Sequence, residues 1–396
     1  MHLDLLVLGA GPAGFAISSM MARRGFSVEI VDPACFPRTK ICGEFLNPQA
    51  VGWLAEHGFL PSLLELSPFP VYGMKITDHE GRSFTGHYLP RRQGTGYAIQ
   101  RRSFDALLVA KAREAGIQIF EGHRAQRLLF ERDRVVGVVG IDQAGRPFEK
   151  RARLVVGADG RNNLIGRTFG WMKPLRHLRK YAFVSYFEDL PGLDHYGEVH
   201  VVRDGYVGIA PITTRLANVA LVVDEKAHPP GQEEYGDFLV SRIRESRLRQ
   251  RFENLNPVAP VISTGPLAFE MERTSGHGTL LVGDTCGFID PFTGEGINYA
   301  FLSASLAAPV LESVLKSDDL SALARYDQER NKAFSRKFQM AKLLQRAIQW
   351  PSLSGFLVKR FARSLHLGDT IVSAVGSAIP VEQVWNFRFL LKVMIS

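Results

Sequence analysis

The chain has 396 residues, 45% hydrophobic and 22% charged, with a net charge of +8. This composition supports a large buried core in two or three domains and excludes a disordered or fibrous protein. No run of about 18 or more apolar residues reads as a membrane span.

The opening "MHLDLLVLGAGPAG" has no basic start and breaks into glycines, so it does not read as a signal peptide. Its apolar run Leu3 to Leu8 predicts a buried strand. Gly9-Ala10-Gly11-Pro12-Ala13-Gly14 follows in a GxGxxG pattern, then a helix over Ala13 to Arg24 and a second strand from Ser27 to Val31 that ends at Asp32. The spacing has a mechanism. Gly9 permits the tight turn, Gly11 lets backbone approach a pyrophosphate, and Gly14 lets helix pack on strand. The helix start, with Pro12 (which has no N–H) in its first turn, offers free N–H groups from Ala13 onward to phosphates, and Asp32 is placed to accept from a ribose hydroxyl. An acid there suits an unphosphorylated ribose, as in FAD or NAD.

Further along come "RTKICGEFLN" from Arg38, and "RRSFDALLVAKAREAG" from Arg101, a predicted helix. Arg151 to Arg167, "RARLVVGADGRNNLIGR", reads as a strand, the turn Gly157-Ala158-Asp159-Gly160, and a polar segment. Val71 to Leu89 and Tyr181 to Val223 carry short apolar runs with turn signals, the mark of an antiparallel sheet. An amphipathic helix is predicted at "EEYGDFLVSRIRESRLRQRF". Leu280 onward, "LLVGDTCGFIDPFTGEGINYAF", gives a strand, Gly283-Asp284, a glycine-rich loop and a helix starting near Gly296. Pro291 stiffens that loop, Gly294 and Gly296 allow close backbone approach, and Ile297 and Asn298 supply the first free N–H groups. Asp319 is a candidate cap for a long helix to Arg346.

The GxGxxG, GADG and GD segments, in this order, resemble the three-part signature of FAD-dependent group A monooxygenases of the p-hydroxybenzoate hydroxylase type, and of their geranylgeranyl reductase and flavin halogenase relatives. The resemblance implies an α/β fold. A discontinuous Rossmann-like FAD-binding domain would comprise 1–68, 96–171 and 264–346. An antiparallel-sheet substrate domain would comprise 69–95 and 172–263, and a helical segment 347–396. It implies FAD as cofactor, with Asp159, Gly160, Gly283 and Asp284 beside it and Asp284 on the ribityl hydroxyls. The "R-x-K-x-C-G-[DE]" stretch of the reductase family falls on Arg38, as a phosphate contact, and on Cys42, Gly43 and Glu44, near the flavin ring. Cys42 is either a small residue packed on the ring or a redox or proton-relay group, and Glu44 is the candidate acid or base. The family places Arg101 and Ala125 at the cofactor. No histidine or triad stands out as catalytic, and no Cys/His cluster has zinc spacing.

NAD(P)H is the expected transient donor, though no second GxGxxG is present. The reductase strand "Y-x-W-x-F-P" corresponds here to "GYVGIAPI", which keeps Tyr206 and Pro211 but lacks the Trp, and Gly208 opens space beside them. The halogenase "W-x-W-x-I-P" departs at both Trp positions. Oxygen insertion into a hydrophobic or aromatic secondary metabolite, through a flavin C4a-hydroperoxide and O2, is therefore the first expectation. Reduction or dehydrogenation of a prenyl or polyene C=C bond is the alternative. Halogenation and flavin binding without catalysis stand behind both.

Lys332 to Ser396 holds ten Lys/Arg against two acids, Asp369 and Glu382, interleaved with Phe and Leu. It reads either as a solvated basic face or as a peripheral membrane contact. No nucleic-acid motif accompanies it. The three cysteines, Cys35, Cys42 and Cys286, suggest a reduced, cytoplasmic setting.

Overall fold

The computed structural model describes residues 3–90, 94–229, 231 and 234–395, without the side chain of His177. Residues 91–93, within the expected substrate-domain segment 69–95, and Ser396 at the end of the basic tail lie outside them.

The apolar run becomes the strand Leu5–Leu8, buried at every position. A strand enclosed on both faces belongs in a parallel sheet, and this one is central in a six-stranded sheet. The order is Ser275–Gly276, Thr279–Leu281, Leu154–Gly157, Leu5–Leu8, Val28–Asp32, Gln118–Glu121, with only the first strand antiparallel. Register places Leu8 opposite Gly157 and Val31, and Gly157 opposite Leu281. The three motif turns therefore leave the same edge of one sheet, where α/β folds bind ligands. The helix Pro12–Ala22, with Pro at its first turn, packs between this sheet and the long helix Gly296–Ser317. That 22-residue helix is apolar enough to cross a membrane by length and composition. Here its Ala and Leu positions fill the core instead.

A seven-stranded sheet runs Ile262–Thr264, Lys180–Glu188, Leu216–Asp224, Gly205–Pro211, Gly197–Val202, Gly73–Thr77, Ser83–His87. All its pairs are antiparallel except Gly197–Val202 with Gly73–Thr77. Alternation sends Phe183, Val207, Val219 and Leu221 to one face, against the helix Tyr235–Arg244. That helix stops there, and the rest of its predicted length forms a turn and the short helix Arg249–Phe252. The other face, with Val184, Val199, Val201 and Tyr206, meets Phe288 and Phe292 of the late loop and Ile348.

Asp319 caps a 3-10 turn rather than the long helix, which runs Ala324–Gln349. The tail then forms three helices, Pro351–Arg363, Leu365–Val375 and Phe387–Ile395. The first two pack on the strand Ser83–His87. A Cβ at Gly86 would lie 2.4 Å from the Gly368 carbonyl oxygen, so only glycine admits so close a helix.

Candidate functional site

The glycines of the first turn divide into two kinds. A Cβ at Gly9, at φ +105°, would sit 2.5 Å from the Ala158 carbonyl oxygen, and one at Gly14 would sit 1.8 Å from that of Gly9. Both are demanded by the fold itself. A Cβ at Gly11 would meet only the Arg38 guanidinium, at 3.6 Å. Gly11 thus fronts open space with a cation beside it, as a phosphate contact needs. Gly283, at φ +69°, approaches the first helix so closely that a Cβ would lie 2.7 Å from that of Ala13. The three motifs, each more than a hundred residues from the next, are in mutual contact.

The strand-end Asp32 is buried, and its two oxygens accept from the N–H groups of Ala10 and Ala34, each at 2.8 Å. Asp159 accepts from the Leu164 N–H at 2.9 Å through one oxygen, while the other is buried with no protein partner. Burial pushes this carboxyl up to about 6.

Cations gather opposite. Burial pushes Asp284 up, and Lys40, Arg161 and Arg101 pull it back down. Lost hydration, then repulsion from Arg101 and Arg38, holds Lys40 below the usual lysine range. Asp105 fixes Arg101 in a bidentate pair, at 2.8 and 2.9 Å, and also holds Arg38 at 3.1 Å. A cleft that crowds like charges in this way gains from an anionic ligand. Its residues fit FAD: Gly11 and Arg38 for the pyrophosphate, Asp32 for ribose, Asp159 and Asp284 for hydroxyls. Ala125 lies at the start of the strand Arg124–Glu131, partly buried and adjoining the same core.

In the late loop, Asp290 caps the turn Pro291–Thr293 by accepting from the Phe292 N–H at 2.8 Å. Gly294 is left-handed at φ +65°, and a Cβ there would lie 2.9 Å from the Phe45 ring. The helix then starts at Gly296, whose first N–H groups, with those of Ile297 and Asn298, lack intrahelical partners. Asn298 itself donates its side-chain amide to Gln49 at 2.9 Å. Behind the loop, the buried Tyr206 hydroxyl donates to Asp290 at 2.5 Å, and Lys180 lies 3.9 Å from the same carboxylate while bonding Gln345.

Cys42, Gly43 and Glu44 lead into Phe45, whose ring lies against Gly294 of the late loop. Glu44 takes a left-handed φ of +53° and is buried. Its Oε1 accepts from the Tyr186 hydroxyl at 2.5 Å and from the Arg101 N–H at 3.0 Å, and its Oε2 has no protein partner. Burial is the largest influence and pushes the carboxyl up to about 7. The Cys42 thiol accepts from the Glu44 N–H at 3.3 Å and contacts Arg101. A Cβ at Gly43 would touch nothing within 4 Å, so its face is open.

Between the seven-stranded sheet, the late loop and the tail helices lies an apolar slot of about 80 Å³. Met74, Ile76, Val199 and Val201 form its sheet wall, Phe292 and Thr293 its loop end, and tail residues such as Val358 and Phe361 its roof. Tyr88 lines it too, with a buried hydroxyl that has no partner, and stacks on Phe45 at 6.3 Å. Gly208 pairs with Val199, and a Cβ there would meet only the Ala220 carbonyl oxygen, at 3.9 Å. Pro211 alternates onto the opposite face, away from the slot side that its motif suggests. Tyr206 reaches the loop rather than the slot, and its ring packs edge-on against Phe292 at 5.2 Å.

Sequence reasoning did not single out Lys40, Arg161, Tyr186, Tyr88 or the slot. Lys40 and Arg161 stand inside the quoted motifs and were legible there as extra cations. Tyr186 and Tyr88 lie in distant strands and loops with no local pattern.

The FAD binding domain family matches this chain over residues 2–341. The digeranylgeranylglycerophospholipid reductase 2 of Methanopyrus kandleri is 30% identical over 86% of this chain and 85% of its own. A geranylgeranyl bacteriochlorophyll reductase-like protein of Thermoplasma acidophilum superposes with a TM-score of 0.80 at 22% identity, covering 96% and 98%. A flavin-dependent brominase does so at 0.80 and 20% identity, covering 95% and 94%. The two structural likenesses speak to fold.

Proposed function

Starting from the chain's membership of the FAD binding domain family, among the FAD-dependent oxidoreductases of the geranylgeranyl reductase and group A monooxygenase superfamily, we propose that it reduces a C=C bond in an apolar, isoprenoid-type chain. The observation that carries this reading is Glu44. A carboxyl held near neutral pKa by burial, with one unpartnered oxygen, is suited to give a proton. Oxygen insertion, the first expectation from the missing Trp, also takes up a proton, but on a peroxide oxygen; alkene reduction puts the proton on carbon and needs an acid set against the substrate. The slot's apolar lining suits a hydrocarbon, and at about 80 Å³ it holds only a short stretch of one, so a longer prenyl chain must displace part of its tail-helix roof.

Bound FAD, once reduced, supplies a hydride. Glu44 does not line the slot; Gly294, next to the slot's Thr293, packs on Phe45, next to Glu44, and a chain in the slot would reach Glu44 past this contact. Glu44 gives its proton to the second alkene carbon, so that one C–H bond forms from hydride and one from proton. The carboxylate left behind keeps its hydrogen bond from Tyr186, which is half-buried and connects it towards solvent for reprotonation. Arg101 and Asp105 hold the Glu44 loop in place. NAD(P)H is the donor this reading assigns for each new cycle.

The reading is tested by incubating the dithionite-reduced holoenzyme with a geranylgeranyl lipid under argon and weighing the product. Gain of hydrogen alone supports it. A product that forms only in air and carries an added oxygen restores the monooxygenase reading.

A further inference from the structure

The helix Phe387–Ile395 is amphipathic in an unusual sense: both of its faces are apolar. Phe389 and Val393 are buried against the body. Phe387, Leu390, Leu391, Met394 and Ile395 point outward, each between 45% and 76% exposed. At 100° per residue these five span one continuous arc, and Arg388 and Lys392 lie at its border. Exposed apolar side chains in so compact a set mark an interaction surface.

The charge around the arc selects its occupant. Arg360 donates to the Met394 carbonyl at 2.9 Å, bringing the basic end of the helix Pro351–Arg363 to the same place. Lys359 and Arg363 are exposed on that helix, followed by Leu365, itself 58% exposed. The tail's two acids are engaged elsewhere: Glu382 pairs with Arg336 at 3.0 Å, and Asp369 is buried against His87. A partner for this surface must be apolar within and anionic at its rim. We propose that the tail docks on an anionic lipid bilayer, with the outer face of Phe387–Ile395 lying in the interface plane. A second copy of the chain would bring the same cations against each other, which disfavours a self-paired interface. The helix that offers Lys359 and Arg363 outward also buries Val358 and Phe361 in the slot, so the docked surface and the slot share a wall. The docking does not depend on which reaction the slot serves.

The test uses the FAD-loaded full chain and vesicles of phosphatidylcholine, alone or mixed with phosphatidylglycerol. Sedimentation is expected to show partition at least about tenfold higher on the mixed vesicles, falling several-fold as salt is added. A Phe387→Ser/Leu391→Ser/Ile395→Ser variant is expected to lose that partition while keeping its flavin content and melting temperature. Arg388→Glu/Lys392→Glu is expected to abolish the preference for the anionic vesicles. Equal partition on both vesicles, or none, overturns the proposal. So does light scattering that finds a dimer dissolved by the triple substitution in a protein that ignores vesicles.

Discussion

Glu44→Gln isolates the buried acid. Raising a carboxyl from its ordinary 4.5 to about 7 corresponds to roughly 3 kcal/mol between the two protonation states. The sign follows from which state holds the proton. Between those values the folded chain keeps it and the unfolded chain has lost it, so stability declines as pH rises from about 4.5 and levels off above about 7. Glutamine carries no such proton, and it retains an acceptor for the Tyr186 hydroxyl. Urea midpoints at pH 5 and pH 8 should therefore diverge in the wild type by up to roughly 3 kcal/mol more than in the variant. Turnover supplies the second readout. The wild-type rate should fall as pH climbs past about 7, and Glu44→Gln should lose about 10²- to 10⁴-fold without losing flavin. Parallel pH dependences in the two proteins, with rates within a few-fold of each other, would refute the assignment.

Four further substitutions probe the cleft and the slot. Gly11→Ala should leave the melting temperature of the FAD-free protein nearly unchanged while weakening FAD binding at least about tenfold, whereas Gly14→Ala, which drives a methyl into the Gly9 carbonyl, should fail to fold or melt far lower. Tyr206→Phe leaves the buried Asp290 short of a donor and should cost about 1–3 kcal/mol in urea unfolding, with the flavin spectrum shifting as the late loop relaxes. Gly208→Val fills open space on the slot side of its strand, so stability should stay within about 1 kcal/mol while KM for a prenyl chain rises.

Much of the cofactor cleft was legible because its chemistry is local. Gly9, Gly11 and Gly14 read as one turn, and the structure separates them into two that the fold requires and one that faces open space beside Arg38. Asp284 and Gly294 were legible for the same reason: a strand end or a left-handed turn leaves its mark in a few consecutive residues. The slot left no such mark. Its walls come from Met74, Val199, Phe292 and Phe361, each an ordinary core residue in its own segment, and only tertiary packing brings them together. The motif strand illustrates the same limit. "GYVGIAP" suggested three substrate contacts, but strand alternation turns Pro211 away, and Asp290, unseen as a partner, claims the Tyr206 hydroxyl. Glu44 was nameable from its loop, whereas its raised pKa depends on burial and on Tyr186, 142 residues distant.

The most direct test is a stopped-flow experiment without oxygen. Reduced holoenzyme is mixed with a geranylgeranyl lipid while the flavin absorbance is followed. Return of the oxidised flavin band in step with loss of double bonds is the predicted result. A flavin that stays reduced until air is admitted would contradict the account.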